Sequence, residues 1–425
     1  MDTNIIHTGD CFDVLTELPD ESVHAVVSDP PYGLNFMPNV TNGWDDFEPK
    51  EYQEWCEKWA RECLRVLKPG GHMLAFSGNR THHRLFTGVE DAGFEIRDTL
   101  TWHYGSGFPK AADVSKVIDK RADAEREVVG EDPHSANRTD REGVALNSAE
   151  DGSLTDEGKR YVTAPATDAA RKWDGWKTGL KPATEFVVMA RKPFSGATVD
   201  SVLENGTGAL NIDACRVEGG ERPERTVVDE NTGSFDKYGD YENETTRATG
   251  TTSEGRYPAN VVFDETAADA LDARNESTVS SGGRSRVKGT SGFGKLSGDE
   301  NHNEPGDPGF GDEGGPSRYF YTSKASRSER TNDGAIENDH PTVKPRDLME
   351  WLIKLVTREG QIVLDPFAGS GTTCMAAKGL GREFVGIERQ AKYADVARVR
   401  CGLTPDDPSV VRGDDAQRGL EAFDP

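Results

Sequence analysis

Short apolar runs alternate with helical periods in two stretches at opposite ends of the chain, residues 4–104 and 340–403, and this pattern constrains the fold most. Strands and helices that take turns build an α/β sheet with crossover helices packed on its faces. In the first stretch the strand candidates are Asn4–His7, His24–Ser28, His72–Phe76 and Glu95–Trp102. A helix over Pro49–Leu67 carries Trp55, Trp59, Leu64 and Leu67 about one turn apart and stops at Lys68-Pro69-Gly70-Gly71. The second stretch reads as a helix over Arg346–Thr357, a strand Gln361–Leu364, a glycine-rich turn, a helix through Ala377 and a strand Glu383–Ile387. The expectation is a doubly wound α/β sheet assembled from both chain ends.

Between about Lys110 and Asp339 the chain is rich in Gly, Asp, Thr, Ser and Asn, broken by apolar islands at Glu185–Ala190 and Asn260–Phe263. It reads as an inserted region whose parts 132–156, 218–255 and 280–315 are long or disordered loops. The expected division is 1–110, 111–335, 336–403 and an acidic tail 404–425.

A formal charge of −25 and a hydrophobic share of 34% make the chain acidic and polar for a folded enzyme. Taken alone, this argues against a polyanionic partner. The acidity is spread along the chain, as suits a salt-rich cytoplasm, where screening lets carboxylates crowd; a halophilic origin is expected. The six cysteines form no C-x-x-C pair, so they read as reduced and mostly buried, with no metal site. No stretch approaches eighteen apolar residues, and the start of the chain lacks a basic segment followed by an apolar run; a soluble cytoplasmic protein, off the membrane, is expected.

Asp29-Pro30-Pro31-Tyr32 directly follows the apolar run Val23–Val27, which places it at a strand's carboxyl end, where open α/β sheets bind ligands. An exocyclic base amine is a poor nucleophile because its lone pair is delocalised into the ring. The Asp29 carboxylate and the Pro30 carbonyl can hold both N–H bonds and draw that nitrogen toward tetrahedral geometry. The two prolines, Pro30 and Pro31, fix the loop, and Tyr32 offers a flat face for a base extruded from a duplex. A plain Pro-Pro turn at a strand end is the other reading of these four residues.

Gln361–Leu364 leads into Asp365-Pro366-Phe367-Ala368-Gly369-Ser370-Gly371-Thr372-Thr373. The turn lacks both the G-x-G-x-x-G spacing and a G-K-[ST] ending, so a smaller zwitterionic ligand suits it better than a nucleoside triphosphate. Glu388, closing the next strand, can accept two ribose hydroxyls or can cap a helix. His340-Pro341-Thr342-Val343-Lys344-Pro345 precedes the helix at Arg346, whose first turn suits the second proline. Asp10, after the first strand, is either a further ligand or an N-cap for the helix over Phe12–Leu18.

Together these motifs resemble the amino-methylating DNA methyltransferases of the permuted beta group. In that group the catalytic motif comes first, the target-recognition region follows and the cofactor motif is last. WHYGSGFPKAADVSKVID, WDGWKTGLKPATEFVVMARKP, NGTGALNIDACRV and GRYPANVVF look like a phage and prokaryotic subgroup of site-specific methylases. The resemblance implies a Rossmann-like methyltransferase sheet with S-adenosylmethionine as cofactor and duplex DNA as substrate. Asp29, Pro30, Pro31 and Tyr32 would hold the base. Asp365, Phe367, Gly369, Gly371, Thr372 and Glu388 would bind the cofactor, with contacts from Asp10, Thr342 and Lys344. It also implies adenine N6 as the favoured target, with cytosine N4 the alternative. RNA or protein methylation and a non-catalytic DNA-binding descendant are further readings. A homodimer and a restriction endonuclease partner stay open.

DNA binding by so acidic a chain requires local reversal of charge. Arg171, Lys172, Lys177 and Lys181 surround Trp173 and Trp176, and Lys324 and Arg327 follow Tyr319-Phe320-Tyr321, as phosphate contact with base stacking requires. A solvated face with side chains lying over buried aromatics is the other reading.

Overall fold

The computed structural model describes residues 1–34, 45–105, 107, 111–131, 161–218, 254–274, 315–323, 331, 336, 338–340 and 342–411, and the backbone of strands between 222 and 252. In chain order the strands are β1 (Ile5–Thr8), β2 (Val23–Ser28), β3 (Leu67–Ser77), β4 (Glu95–His103), β5 (Val128–Glu131), β6 (Tyr161–Thr163), β7 (Thr184–Arg191), β8 (Arg222–Asp229), β9 (Gly233–Asp236), β10 (Gly239–Glu242), β11 (Thr245–Thr252), β12 (Val261–Asp264), β13 (Tyr321–Ser323), β14 (Ile362–Asp365) and β15 (Glu383–Glu388). Two compact units are present, residues 106–183 and the remainder of the chain.

The larger unit carries a nine-stranded sheet of order β1-β15-β14-β2-β3-β7-β4-β12-β13. All its pairings are parallel except those of β7, which runs antiparallel between β3 and β4. Both ends of the chain therefore supply the sheet, as their alternating pattern implies. The inserted stretch supplies strands as well: the apolar islands at 185–190 and 260–263 lie in β7 and at β12.

Alternate residues along the central strands enter two different cores. Val27, Leu74, Phe76, Val187, Met189 and Val363 pack on one face with Leu348, Trp351 and Leu352 of the Arg346–Val356 helix. Val26, Met73, Ala75, Val188, Ala190 and Leu364 pack on the other with Cys56, Trp59 and Cys63 of the Pro49–Val66 helix. Two buried faces explain why these strands read as near-continuous apolar runs. The Pro49–Val66 helix starts where expected, with Pro49 in its first turn and a capping box between Glu48 and Glu51. It ends at Val66, and β3 begins at once at Leu67 and runs on through the Pro-Gly-Gly segment. All six cysteines are buried and unpaired. Among the described residues no helix is long and apolar enough to cross a membrane.

In the 106–183 unit, β5 pairs with β6, and the buried Asp119 carboxylate joins the Val114–Arg121 helix to the next segment. It accepts from the Ala166 and Thr167 backbone N–H groups and from Arg126, and these bonds hold its carboxyl down at about 2 against the opposing effect of burial.

Candidate active site

From β2 the chain moves to β3 on one side, and from β14 to β15 on the other, so the connections diverge between β2 and β14. These two strands are parallel neighbours, with Val363 opposite Ala25 and Leu364 opposite Val26. Their carboxyl ends open a crevice at this switch point, which is where such sheets bind ligands. Asp29 follows one strand and Asp365 ends the other.

The loop after β2 is held from below by the Pro49–Val66 helix. Tyr52, buried on that helix, donates its hydroxyl to the Pro31 carbonyl at 2.8 Å. The Asp45 carboxylate accepts from the backbone N–H groups of Gly33 and Leu34. Prolines, a buried tyrosine and an aspartate thus fix the backbone that carries Asp29 and Tyr32.

A four-membered cluster surrounds Asp29. Lys344 donates to Asp29 Oδ2, lies 3.4 Å from Glu185 Oε2 and donates to Tyr32 Oη at 3.2 Å. The Tyr32 hydroxyl lies 2.9 Å from Asp29 Oδ1 and 2.8 Å from Glu185 Oε2. The ammonium also sits over the Phe76 ring, 5.0 Å from its centre. Burial disfavours the charge on Lys344, yet Asp29 and Glu185 outweigh it and hold the ammonium above its usual range. Burial first, and then the two carboxylates, push the Tyr32 phenol far up. Tyr104, just beyond β4, is raised to about 12 by burial, with Glu185 adding to the effect.

The glycine-rich turn lies beside this cluster. Asp365 is buried; its Oδ1 accepts from the Ser28 hydroxyl at 2.5 Å and from the Phe367 N–H at 3.0 Å. Glu388 Oε2 accepts from the Gly369 N–H at 2.9 Å, and its Oε1 accepts from the Gln390 N–H at 2.7 Å. Burial pushes both carboxyls up to about 6. Gly371 has φ +84°, and a Cβ there would lie 2.7 Å from that of Ala397. The Arg400 guanidinium, buried on the last helix, donates to the Ser370 carbonyl at 2.7 Å and to the Thr372 hydroxyl at 3.0 Å. Phe367 packs edge-on against Trp59, with ring centres 5.3 Å apart. A small cavity of about 30 Å3 is lined by Asp29, His340, Thr342, Lys344, Asp365 and Gly369, among others.

Asp29, Pro30, Tyr32, Lys344, Asp365, Phe367, Gly369, Gly371, Thr372 and Glu388 thus meet at one crevice. Asp10 sits as the N-cap of the Cys11–Glu17 helix, where its Oδ1 accepts from the Phe12 N–H at 3.0 Å. Lys344 borders the cavity and also engages Asp29 directly. Arg171, Lys172, Lys177 and Lys181 are exposed in the 106–183 unit. Within it Arg171 pairs with Asp168 at 2.5 Å and Lys177 pairs with Asp113. Trp173 and Trp176 are exposed there, with ring centres 5.1 Å apart. Lys324 and Arg327 lie outside the described residues. The reading of the sequence missed Glu185, Tyr52, Asp45, Ser28 and Arg400; an acid opening an apolar island was the available signal for Glu185.

The family model described as DNA methylase, of the N6/N4 type, matches residues 23–399. The chain belongs to this family. It is a DNA amino-methyltransferase, and S-adenosylmethionine is its cofactor. It is similar to the type II methyltransferase M.HindIII of Haemophilus influenzae, at 25% identity over 94% of this chain and 95% of that one. A shorter match, 52% identical over 14% of this chain and 23% of the relative, is to the type II methyltransferase M2.DpnII of Streptococcus pneumoniae. Among solved structures, the cytosine-N4-specific PvuII DNA methyltransferase matches with TM-score 0.43 and 14% identity, over 98% of this chain and 92% of that one.

Proposed function

We propose that this family member methylates the N6 amino group of adenine in duplex DNA, with Asp29, Pro30 and Tyr32 holding the base and Asp365, Phe367, Gly369, Gly371, Thr372 and Glu388 holding S-adenosylmethionine. The carrying observation is the juxtaposition, on two neighbouring parallel strands, of a fixed Asp-Pro-Pro-Tyr loop and a glycine turn between the buried Asp365 and the half-buried Glu388. The residues of the turn fit the cofactor. Two carboxyls raised by burial favour a cationic ligand, and a Cβ at Gly369 would lie 2.9 Å from His340 Nε2 and fill the cradle. When bound, the cofactor supplies an electrophilic methyl group on a sulfonium.

The chain's own residues do the rest. Asp29 and the Pro30 carbonyl accept the two amine N–H bonds and localise the nitrogen lone pair. The Tyr32 ring presents a face to an extruded base, and Lys344 and the Tyr32 hydroxyl, which hold the two Asp29 oxygens at rest, give way to the arriving amine. Asp29 in the first motif position supports adenine, because a serine there is the commoner choice for cytosine N4 in the family this chain resembles. The order of motifs supports the permuted beta group, and the similarity to type II methyltransferases supports a restriction-modification setting. The distributed negative charge supports a salt-adapted protein, tested by folding against KCl. Arg171, Lys172, Lys177 and Lys181, with Lys324 and Arg327, are the proposed phosphate contacts.

Long-read sequencing of DNA from cells expressing the protein, beside an Asp29→Ala control, tests this reading. Adenine N6 modification at one short site, lost in the control, is expected. Modification at cytosine N4 redirects the target base, and identical maps overturn the catalytic assignment.

A further inference from the structure

The cluster around Asp29 has more hydrogen-bonding contacts than protons to fill them. Tyr32 has one hydroxyl proton, yet its oxygen lies within hydrogen-bond distance of Asp29 Oδ1 at 2.9 Å and Glu185 Oε2 at 2.8 Å. Lys344 already donates to the Tyr32 oxygen, so the phenol accepts from one side while facing two carboxylates on the other. Only one of those contacts can be a hydrogen bond while both acids are ionised. One more proton, on Glu185 Oε2, would make both contacts hydrogen bonds with no heavy atom moving.

Methylation of an amine releases one proton. We propose that Asp29, Tyr32 and Glu185 form a relay that carries this proton away from the target amine, with Glu185 as its terminal acceptor; this rests on the reading of Asp29 as the group that holds the amine. The nitrogen lone pair forms the new N–C bond as the C–S bond breaks, and the C–S electron pair stays on sulfur. As that bond forms, the nitrogen gives a proton to Asp29. Asp29 passes a proton to Tyr32 Oη as the phenol's own proton moves to Glu185 Oε2. Asp29 is again a carboxylate, Tyr32 again a phenol, and Glu185 a neutral acid whose side chain is 17% exposed and can release the proton to water.

A concerted transfer suits this site, because neither a free phenolate nor a neutral lysine is favoured in it. The groups facing Tyr32 and Glu185 are Asp29 from the loop after β2, Lys344 from the segment before the Arg346–Val356 helix and Tyr104 beyond β4. Asp365, at the end of β14, bears on Asp29 from behind. The Lys344 ammonium lies 3.4 Å from Glu185 Oε2, on the carboxylate oxygen that faces Tyr32.

Three variants test the relay: Glu185→Gln, which hydrogen-bonds but cannot take the proton, Tyr32→Phe, which breaks the chain, and the double variant. Single-turnover methylation is followed across pH in light and heavy water, with cofactor binding by calorimetry as the check on folding. Glu185→Gln is expected to slow the methylation turnover about a hundredfold or more, within the range of a lost proton-transfer group. Its cofactor affinity is expected to stay within about twofold, because Glu185 lies outside the glycine turn. At saturating cofactor the heavy-water effect of the wild-type enzyme should shrink with it, and the double variant should be no slower than the slower single one. A Glu185→Gln enzyme that keeps the wild-type heavy-water effect, or losses that multiply in the double variant, overturns the relay. Asp29→Ala, run alongside, separates this outcome from failure of the site assignment: full methylation without Asp29 rejects the site itself.

Discussion

With S-adenosylmethionine held in the glycine turn as proposed, the turn's two acids make its binding depend on pH. Burial raises Asp365 from the usual 3.8, and Glu388 from the usual 4.5, each to about 6. A raised carboxyl binds its proton more tightly in the folded chain than in the unfolded one. Each therefore contributes stability below its ordinary range that is lost as pH rises through about 6, at a neutral-pH cost of about 3 kcal/mol for Asp365 and about 2 kcal/mol for Glu388. A cationic cofactor needs the ionised forms and offsets that cost. If both must be ionised, going from about pH 7 to about pH 5 weakens binding roughly tenfold for each acid and roughly a hundredfold together, about 3 kcal/mol. Calorimetric titration of the DNA-free enzyme with S-adenosylmethionine, in two buffers of different ionisation heat, measures both the affinity and the protons released. Net proton release near pH 6 and loss of affinity on acidification are expected. A constant affinity over that interval in a folded protein, or proton uptake on binding, would refute the reasoning.

Gly371→Ala places a Cβ 2.7 Å from that of Ala397 at a residue with φ +84°, so on the order of 2–4 kcal/mol of strain is expected, read as weaker cofactor binding and a lower melting temperature. Lys344→Met leaves two carboxylates facing one another without their shared cation. A loss on the order of 3 kcal/mol is expected in urea unfolding, together with a drop in methylation rate. Tyr52→Phe removes the donor to the Pro31 carbonyl. It should cost about 1 kcal/mol and lower the methylation rate with little change in cofactor affinity.

Local pattern carried much of the fold. The two-faced apolar runs of β2, β3, β14 and β15 and the amphipathic Pro49–Val66 helix declare themselves within windows of ten residues or so. What lay beyond local pattern was pairing. Nothing within residues 184–191 says that this strand enters antiparallel between β3 and β4, some eighty residues or more away in sequence. Glu185 was therefore read as the first residue of an island in an inserted region, when pairing places it opposite Trp102 and beside Tyr32. Tyr52 and Asp45 were missed for a related reason: each acts on the backbone of the loop after β2, and a hydrogen bond to a main-chain group leaves no mark on the sequence of the loop that receives it.

The same geometry explains why the distance between the motifs in the chain does not matter to the site. Asp29 and Asp365 are 336 positions apart, yet they follow neighbouring strands, and a switch point needs only that two adjacent parallel strands send their connections in opposite directions. The chain may run through either half first, provided the intervening segment returns to the sheet. Here it does so through β7, β12 and β13, which extend the sheet on the side of β3 and leave the β14 side to the glycine-rich turn. The return also has a chemical effect. By bringing β7 back beside β3, the inserted stretch delivers Glu185 to Tyr32 and Lys344, so the region that first reads as a recognition insert also sets a second carboxylate beside Asp29.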